Sequence, residues 1–290
     1  MVRYIEAKTI LSKLREKDSL FGLTYNMNLY RGCQHGCIYC DTRSECYGIK
    51  DISGISVKKN ALELLRKELR TKRKNKGTIG TGSMNDPYMP IEKELQLTRN
   101  ALAIVAQEKF PVHIITKSDL VARDIDLLQE ISKVYAAVSF TITTTNDALS
   151  GKIEPQAPKS SERFKAMERL AGKGIYTGIT LMPVLPFIND TKENIETLVK
   201  RAKNAGASYV LPIFGVTLRK GSREYFYKML ENNFPSLKRR YEISFGEKYI
   251  CNSPDYKTLN HTFKALAKEL GMKRKMQFYQ PETYIQQSLF

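Results

Sequence analysis

A chain of 290 residues is long enough for one large domain with a proper core, and nothing in it forces a second. Five cysteines, three of them clustered, make no disulfide framework, no run approaches the roughly 18 apolar residues of a membrane span, and the polar start Met1-Val2-Arg3-Tyr4 is not an export signal, so a reducing cytoplasm is expected. The formal net charge of +17 excludes a neutral surface and has two readings: affinity for a polyanion such as nucleic acid, or the background of a lysine-rich composition.

Apolar runs alternate with segments of helical period. A strand is expected over 21–27, leading into the cysteine loop, and a helix over 57–70 on the spacing of Ala61, Leu62, Leu65 and Leu69. Further strands are expected at 78–82, 112–116, 136–143, 175–183 and 209–214. Helices are expected at 97–108, 125–134 and 161–171, and from a capping-box-like start at Asp190 and Glu193 to Asn204. About six strand-then-helix repeats imply a parallel sheet, doubly wound or curled into a partial barrel. Period two puts Ser139, Thr141 and Thr143 on one face and Phe140 and Ile142 on the other, and an open barrel with a solvated lumen accommodates that polar face. After 216 the pattern turns helical and basic, with helices near 223–232 and 256–270. The expected organisation is an N-terminal segment (1–20), a partial barrel (21–216), and a C-terminal helical extension with a tail (217–290).

Cys33, Cys37 and Cys40 stand in the loop Tyr30-Arg31-Gly32-Cys33-Gln34-His35-Gly36-Cys37-Ile38-Tyr39-Cys40-Asp41, spaced C-x3-C-x2-C. Three thiols this close suit zinc, copper(I) or an iron–sulfur cluster. A structural zinc needs a fourth ligand, for which His35, Asp41 and Cys46 are at hand. Charge is concentrated in nine lysines and arginines between Val57 and Lys76 and in the runs at 238–240 and 273–275.

The cysteine loop, with aromatic Tyr39 before its last cysteine, resembles that of the radical S-adenosylmethionine (SAM) enzymes. Asn85-Asp86-Pro87-Tyr88-Met89-Pro90-Ile91-Glu92, Leu97-Thr98-Arg99, Thr116-Lys117-Ser118, Arg123-Asp124, Glu154-Pro155-Gln156-Ala157-Pro158 with Arg163, and Pro183-Val184-Leu185-Pro186-Phe187-Ile188-Asn189-Asp190 extend the likeness to the spore photoproduct lyase-like branch, from about 22 to 256. The resemblance implies a partial (β/α)6 TIM-like barrel, α/β in class, with the C-terminal helical, basic extension beside it. It also implies a [4Fe-4S] cluster on Cys33, Cys37 and Cys40 whose open iron chelates S-adenosyl-L-methionine. One electron, from a donor such as a flavodoxin or ferredoxin, then cleaves that cofactor to methionine and a 5′-deoxyadenosyl radical. Ser83 and Asn85 fall in the loop that holds the methionine end. Lys117 and Arg163 could pair with the cofactor carboxylate, Ser139 and Thr141 could bond its ribose or carboxylate, and Tyr39 could pack on adenine.

Spore photoproduct lyases return a hydrogen atom through a cysteine after the second strand and a tyrosine after the last cluster cysteine. Ser83 or Met84 and Asp41 occupy those places here, which argues against the thymine-dimer reaction itself and leaves Cys46 as a substitute donor. Gln286-Gln287-Ser288-Leu289-Phe290 resembles the short peptide by which bacterial repair and replication proteins dock on the DNA sliding clamp, with Gln286, Leu289 and Phe290 as its anchors. The leading expectation is a lyase-like radical SAM enzyme acting on nucleic acid or one of its lesions. A radical enzyme acting on a small molecule or protein, and a non-catalytic zinc- and nucleic-acid-binding protein, are the alternatives.

Overall fold

The computed structural model describes residues 2–16, 18–49 and 51–281; the tail residues Gln286, Leu289 and Phe290 lie outside them. Six parallel strands form the frame: β1 (Tyr25–Met27), β2 (Ile79–Thr81), β3 (Val112–Thr116), β4 (Ala136–Thr141), β5 (Tyr176–Leu181) and β6 (Tyr209–Pro212). Each lies beside its successor in the chain, in the order β6-β5-β4-β3-β2-β1, and Leu11–Lys13 adds an antiparallel strand outside β1. A doubly wound sheet reverses direction at a switch point, whereas this order runs one way only, as in a barrel. The return helices are α1 (Ala61–Thr71), α2 (Leu97–Gln107), α3 (Ile125–Ser132), α4 (Ser160–Ala171), α5 (Lys192–Asn204) and α6 (Tyr256–Glu269). Their apolar stripes, among them Leu65, Leu102, Leu128, Phe164 and Leu198, bury against Ile79, Val112, Val138, Ile179 and Val210. Each such side chain contributes about 1.5–3 kcal/mol on burial.

Several expectations change. The segment 56–58 is a strand, paired with Arg3–Ile5 and Tyr30–Arg31, so α1 begins only at Ala61. Thr191, not Asp190, caps α5, because the Asp190 carboxylate instead accepts from Ser253 Oγ at 2.7 Å. Helices at Asp147–Ile153 and Leu237–Phe245 carry too short an apolar pattern to be expected from periodicity. The polar face of β4 is packed rather than solvated: Ser139 Oγ lies 2.7 Å from His113 Nε2 and 2.6 Å from the Tyr209 hydroxyl, and Thr141 Oγ1 lies 2.8 Å from Thr180 Oγ1. The lower lumen is thus filled by polar groups bonded to one another, with His113 Nδ1 left without a partner. Burial without a charged partner holds His113 down to about 3, so it stays neutral there.

Two additions close the ends of the barrel. The helices Ser222–Asn233 and Leu237–Phe245, with the paired strands Gly215–Thr217 and Ile250–Asn252, bury Phe226, Leu230, Tyr241 and Cys251 against Ile38 and Leu185. The extension therefore packs on the cysteine loop itself. At the opposite end the segment 276–280 crosses the strand N-termini: Tyr135 donates its hydroxyl to Gln277 O at 2.7 Å, and the Gln277 N–H donates to the Tyr176 hydroxyl at 2.9 Å. Gly22, at φ +68°, makes room for Phe278, whose ring would meet a Cβ there at 2.5 Å. Among the described residues no helix is long and apolar enough to cross a membrane.

Candidate active site

The cysteine loop leaves β1 at the C-terminal end of the barrel and is tied down by backbone hydrogen bonds on several sides. Cys33 N donates to Ile52 O at 2.7 Å, Ile38 N to Ile153 O at 2.9 Å, and Gln156 N to His35 O at 3.1 Å. Gln34 Oε1 accepts from Ile91 N at 2.8 Å. The loop borders a cavity of about 380 Å³ whose wall includes Cys33, Cys37, Cys40, Tyr39, Ser83, Asn85, Lys117 and Thr141. Of the expected site residues, the structure brings these eight together.

Three others stand elsewhere. Ser139 is one layer down in the lumen, bonded to His113 and Tyr209, so it faces no cofactor space. Arg163 is behind the wall and fully buried. Its Nη1 lies 2.6 Å from Glu154 Oε2 and 2.9 Å from Thr141 O, and its Nε donates to Pro158 O at 2.8 Å. Glu154 in turn accepts the Tyr39 hydroxyl. Arg163 thus fixes the loop and the aromatic ring and does not reach the cavity. Cys46 is exposed, 3.5 Å from Arg219 Nη1, and is not part of the cavity wall.

Electrostatics follow from this burial. Burial pushes the Glu154 carboxyl up, but Arg163 and Lys117 outweigh it and hold it below its ordinary value. Burial likewise opposes the charge of Lys117, and the Cys37 sulfur, Glu154 and Asp86 outweigh it and raise its affinity for the proton. The Lys117 ammonium is 5.7 Å from the Tyr39 ring centre, a charged donor inside the cavity. Asp86 accepts from Thr116 Oγ1 at 2.7 Å, Lys117 N at 2.6 Å and Tyr88 N at 2.9 Å, and faces His35 Nδ1 at 3.4 Å. Burial raises it, but His35 and these donors outweigh that and keep it well below the carboxylate range. Its bonds brace the loop after β2 against the strand end of β3. Within that loop Gly82 sits at φ +91°, where a Cβ would be 2.1 Å from Ile115 O.

The donor set fits an iron–sulfur cluster. Three thiols share one wall, while among the described residues no three His, Cys, Asp or Glu side chains converge tightly enough to hold a metal ion together. A cubane joins three sulfurs at three separate irons. Burial, then Asp86, pushes the Cys33 thiol up to about 11, and burial pushes Cys37 further, so the thiols bind as thiolates only when a cation displaces their protons. His35 is buried on the same wall with Nε2 unpartnered, a polar atom a cluster would satisfy.

A family model described as the radical SAM superfamily matches residues 27–202. The chain belongs to the radical SAM superfamily. That family implies a [4Fe-4S] cluster and SAM, makes the protein a radical SAM enzyme, and sets aside the non-catalytic zinc reading. An uncharacterized protein of Methanocaldococcus jannaschii is 34% identical over 226 residues, 77% of this chain and 80% of that one. A radical SAM Nalpha-GlyT isomerase of Pseudomonas phage M6 is 29% identical over 182 residues, 63% of this chain and 37% of that one. Among solved structures, a spore photoproduct lyase variant superposes with a TM-score of 0.68 at 16% identity, covering 93% of this chain and 79% of that one. The fold is shared at that distance.

Sequence reasoning missed the far wall, Ile213 and Gly215 to Thr217, which has no motif and directly follows the end of β6. It also gave no role to Glu154, although a glutamate nine residues before an arginine in one short segment was a visible charge pair. Tyr47 was missed as well: its hydroxyl donates to Asp41 Oδ2 at 2.9 Å, while Ser44 Oγ donates to Asp41 O at 2.6 Å.

Proposed function

We propose that this radical SAM enzyme acts on a base of a nucleic acid or on a nucleic-acid lesion, with the [4Fe-4S] cluster on Cys33, Cys37 and Cys40 and SAM along Tyr39, Ser83, Asn85, Lys117 and Thr141. When bound, the pair supplies reductive cleavage of the sulfonium and the hydrogen-abstracting power that follows from it. The protein's own part is placement. Lys117 offers a half-buried ammonium to a carboxylate, Glu154 holds the Tyr39 ring by its hydroxyl, and Gly82 lets the main chain approach closely.

The observation that carries the substrate class is the mouth of the cavity. Ile213, Tyr249 and Ile250 are exposed, and Ile250 pairs with Thr217 of the cavity wall. Arg219 lies 4.8 Å over the Tyr249 ring. One aromatic ring under a guanidinium, with exposed isoleucines beside it, suits a base and its phosphate. Two similarities support the same class: a lyase structure is complexed with a dinucleoside spore photoproduct, and the phage relative is named an isomerase of Nalpha-GlyT. Asp41 and Ser83 or Met84, standing where the lyases have tyrosine and cysteine, argue against the thymine-dimer reaction itself.

The test is reductive anaerobic incubation of the reconstituted enzyme with oligonucleotides, following 5′-deoxyadenosine and label transfer from the nucleic acid. Stimulation by nucleic acid is expected; turnover with a small molecule or peptide and none with DNA or RNA would overturn the reading. Docking on the DNA sliding clamp through Gln286, Leu289 and Phe290 belongs to the same proposal, and unchanged clamp affinity after removing Leu289 and Phe290 would end it.

A further inference from the structure

The basic residues are not gathered at the cavity. Lys76, Lys109, Lys133 and Lys173 each stand three residues before the first residue of β2, β3, β4 and β5, in four successive helix-to-strand turns at the N-terminal end of the barrel. The run at 72–74 ends α1 on the same side, and the run at 273–275 joins it because Lys273 bridges to Tyr209, the first residue of β6. The loops on the cavity side carry Asp86, Asp119, Asp147 and Asp190 beside Lys117, Arg123 and Arg219, so charge there is mixed.

Helix C-termini all point to this end and favour a cation each, which accounts for some of the lysines. Six helix termini supply roughly half a negative charge apiece, about three charges in all. The two basic runs alone outweigh that. Of the acidic groups placed there, Glu108 pairs with Arg73 at 2.7 Å and Glu130 with Lys133 at 2.5 Å, while Glu168 and Glu269 offset part of the charge near the ends of α4 and α6.

Set into this face is an open groove of about 590 Å³ lined by Tyr135, Tyr176, Phe278 and Tyr279. Tyr135 and Tyr176 have ring centres 6.4 Å apart, and Tyr135 and Tyr279 6.3 Å. Lys133 and Lys173 stand two and three residues before Tyr135 and Tyr176 and are exposed. Aromatic rings bordered by cations are what a single strand of nucleic acid binds: bases stack and phosphates meet the lysines. We propose that the N-terminal face of the barrel is a second nucleic-acid site, on the side opposite the cavity, that holds a single strand by its backbone and takes a base into the Tyr135–Tyr176 groove.

The site does not depend on what the cavity converts, so it is tested by binding without SAM. Anisotropy of a fluorescein-labelled 20-nucleotide single strand is titrated with the reconstituted enzyme across a salt series. The triple variant Lys109→Gln, Lys133→Gln, Lys173→Gln is compared with Lys59→Gln, Lys192→Gln, Lys228→Gln, which removes equal charge from exposed positions away from this face. The first should lose roughly tenfold or more in affinity and lower the log–log salt slope by about 2, from three phosphates at about 0.7 each; the second should match the wild type. Tyr135→Ala should cost a further tenfold or so, stacking being worth about 1–3 kcal/mol per base. Equal losses in both triple variants would reduce the effect to net charge and overturn the site. Affinity for polyphosphate equal to that for the oligonucleotide, with no effect of Tyr135→Ala, would overturn the groove. Nucleic-acid-stimulated 5′-deoxyadenosine formation alongside an unaffected N-terminal face would leave the cavity reading standing and remove this one.

Discussion

Arg163→Met isolates the pair behind the cluster loop. In the wild type, Glu154 and Arg163 are both buried, 2.6 Å apart, with the Tyr39 hydroxyl on the same carboxylate. Removing the guanidinium strands a buried carboxylate, a loss of about 3–5 kcal/mol. For a chain of this length that lowers the melting temperature by about 5 to 8 °C. Glu154→Gln should cost less, because the guanidinium keeps its Thr141 and Pro158 carbonyls. The double variant removes both charges and should cost about as much as the worse single one, a coupling of about 2–3 kcal/mol. The pH dependence carries a sign. Glu154 is held below its ordinary value, so its contribution is present above the unfolded carboxyl range and is lost as pH falls through the folded value. In Arg163→Met burial dominates and raises the carboxyl, so that variant's deficit should shrink on acidification. Urea unfolding of the thiol-reduced, iron-free chain at pH 7 and pH 5 measures all four proteins. Additive single costs, or a deficit that grows in acid, would refute the pair.

Lys117→Met should weaken SAM binding at least about tenfold, one charge-assisted hydrogen bond being worth about 1.5–3 kcal/mol, while iron and sulfide content stay unchanged; equilibrium dialysis beside iron analysis separates the two. Gly82→Ala forces a Cβ to within 2.1 Å of Ile115 O at φ +91°, and should destabilise the fold by about 1–3 kcal/mol and reduce SAM retention. Asp86→Asn should flatten the acid limb of the stability curve. The Asp86 carboxyl lies well below its ordinary value, so the stability it contributes is complete above the unfolded range near pH 4 and is lost below it.

The barrel was legible because its signals are local. Apolar runs 112–116 and 176–181 sit between helical periods, and chain-order pairing follows from the repeat itself. The cysteine loop was legible because three thiols within eight residues have few other uses. What failed required knowledge of depth. Ser139 and Thr141 share a face of β4, yet one is bonded within the lumen and the other borders the cavity, a difference set by position along the strand. Arg163 has the charge to hold a carboxylate ligand, but the carboxylate it meets is Glu154, nine residues earlier in the chain. The charge of +17 is not one patch: Lys117 borders the cavity, while Lys76, Lys109, Lys133 and Lys173 stand at the opposite end of the barrel, a division that needs the fold to be seen.

The two walls of the cavity bear differently on the chemistry. One wall, from the cysteine loop and the ends of β2 to β4, carries Cys33, Cys37, Cys40, Ser83, Lys117 and Thr141. The wall facing substrate is built from 41–42 and 213–217. There the Asp41 carboxylate accepts from the Tyr47 hydroxyl at 2.9 Å and from Ser44 Oγ at 3.2 Å and lies 3.8 Å from Arg219 Nε. A carboxylate engaged by these donors serves as a hydrogen-bond acceptor and is a poor stand-in for a phenol or thiol. Ser83 offers only an aliphatic hydroxyl, a far poorer hydrogen-atom donor than a thiol, and Cys46 stands outside the cavity. Neither Asp41 nor Ser83 is a ready hydrogen-atom donor, so on the reading proposed above SAM is expected to be consumed. One 5′-deoxyadenosine should accumulate for each product formed, and Cys46→Ala should turn over as the wild type does. Many products per 5′-deoxyadenosine, with deuterium from the substrate recovered in intact SAM, would mean that the cofactor is regenerated and that a donor on this wall has been overlooked.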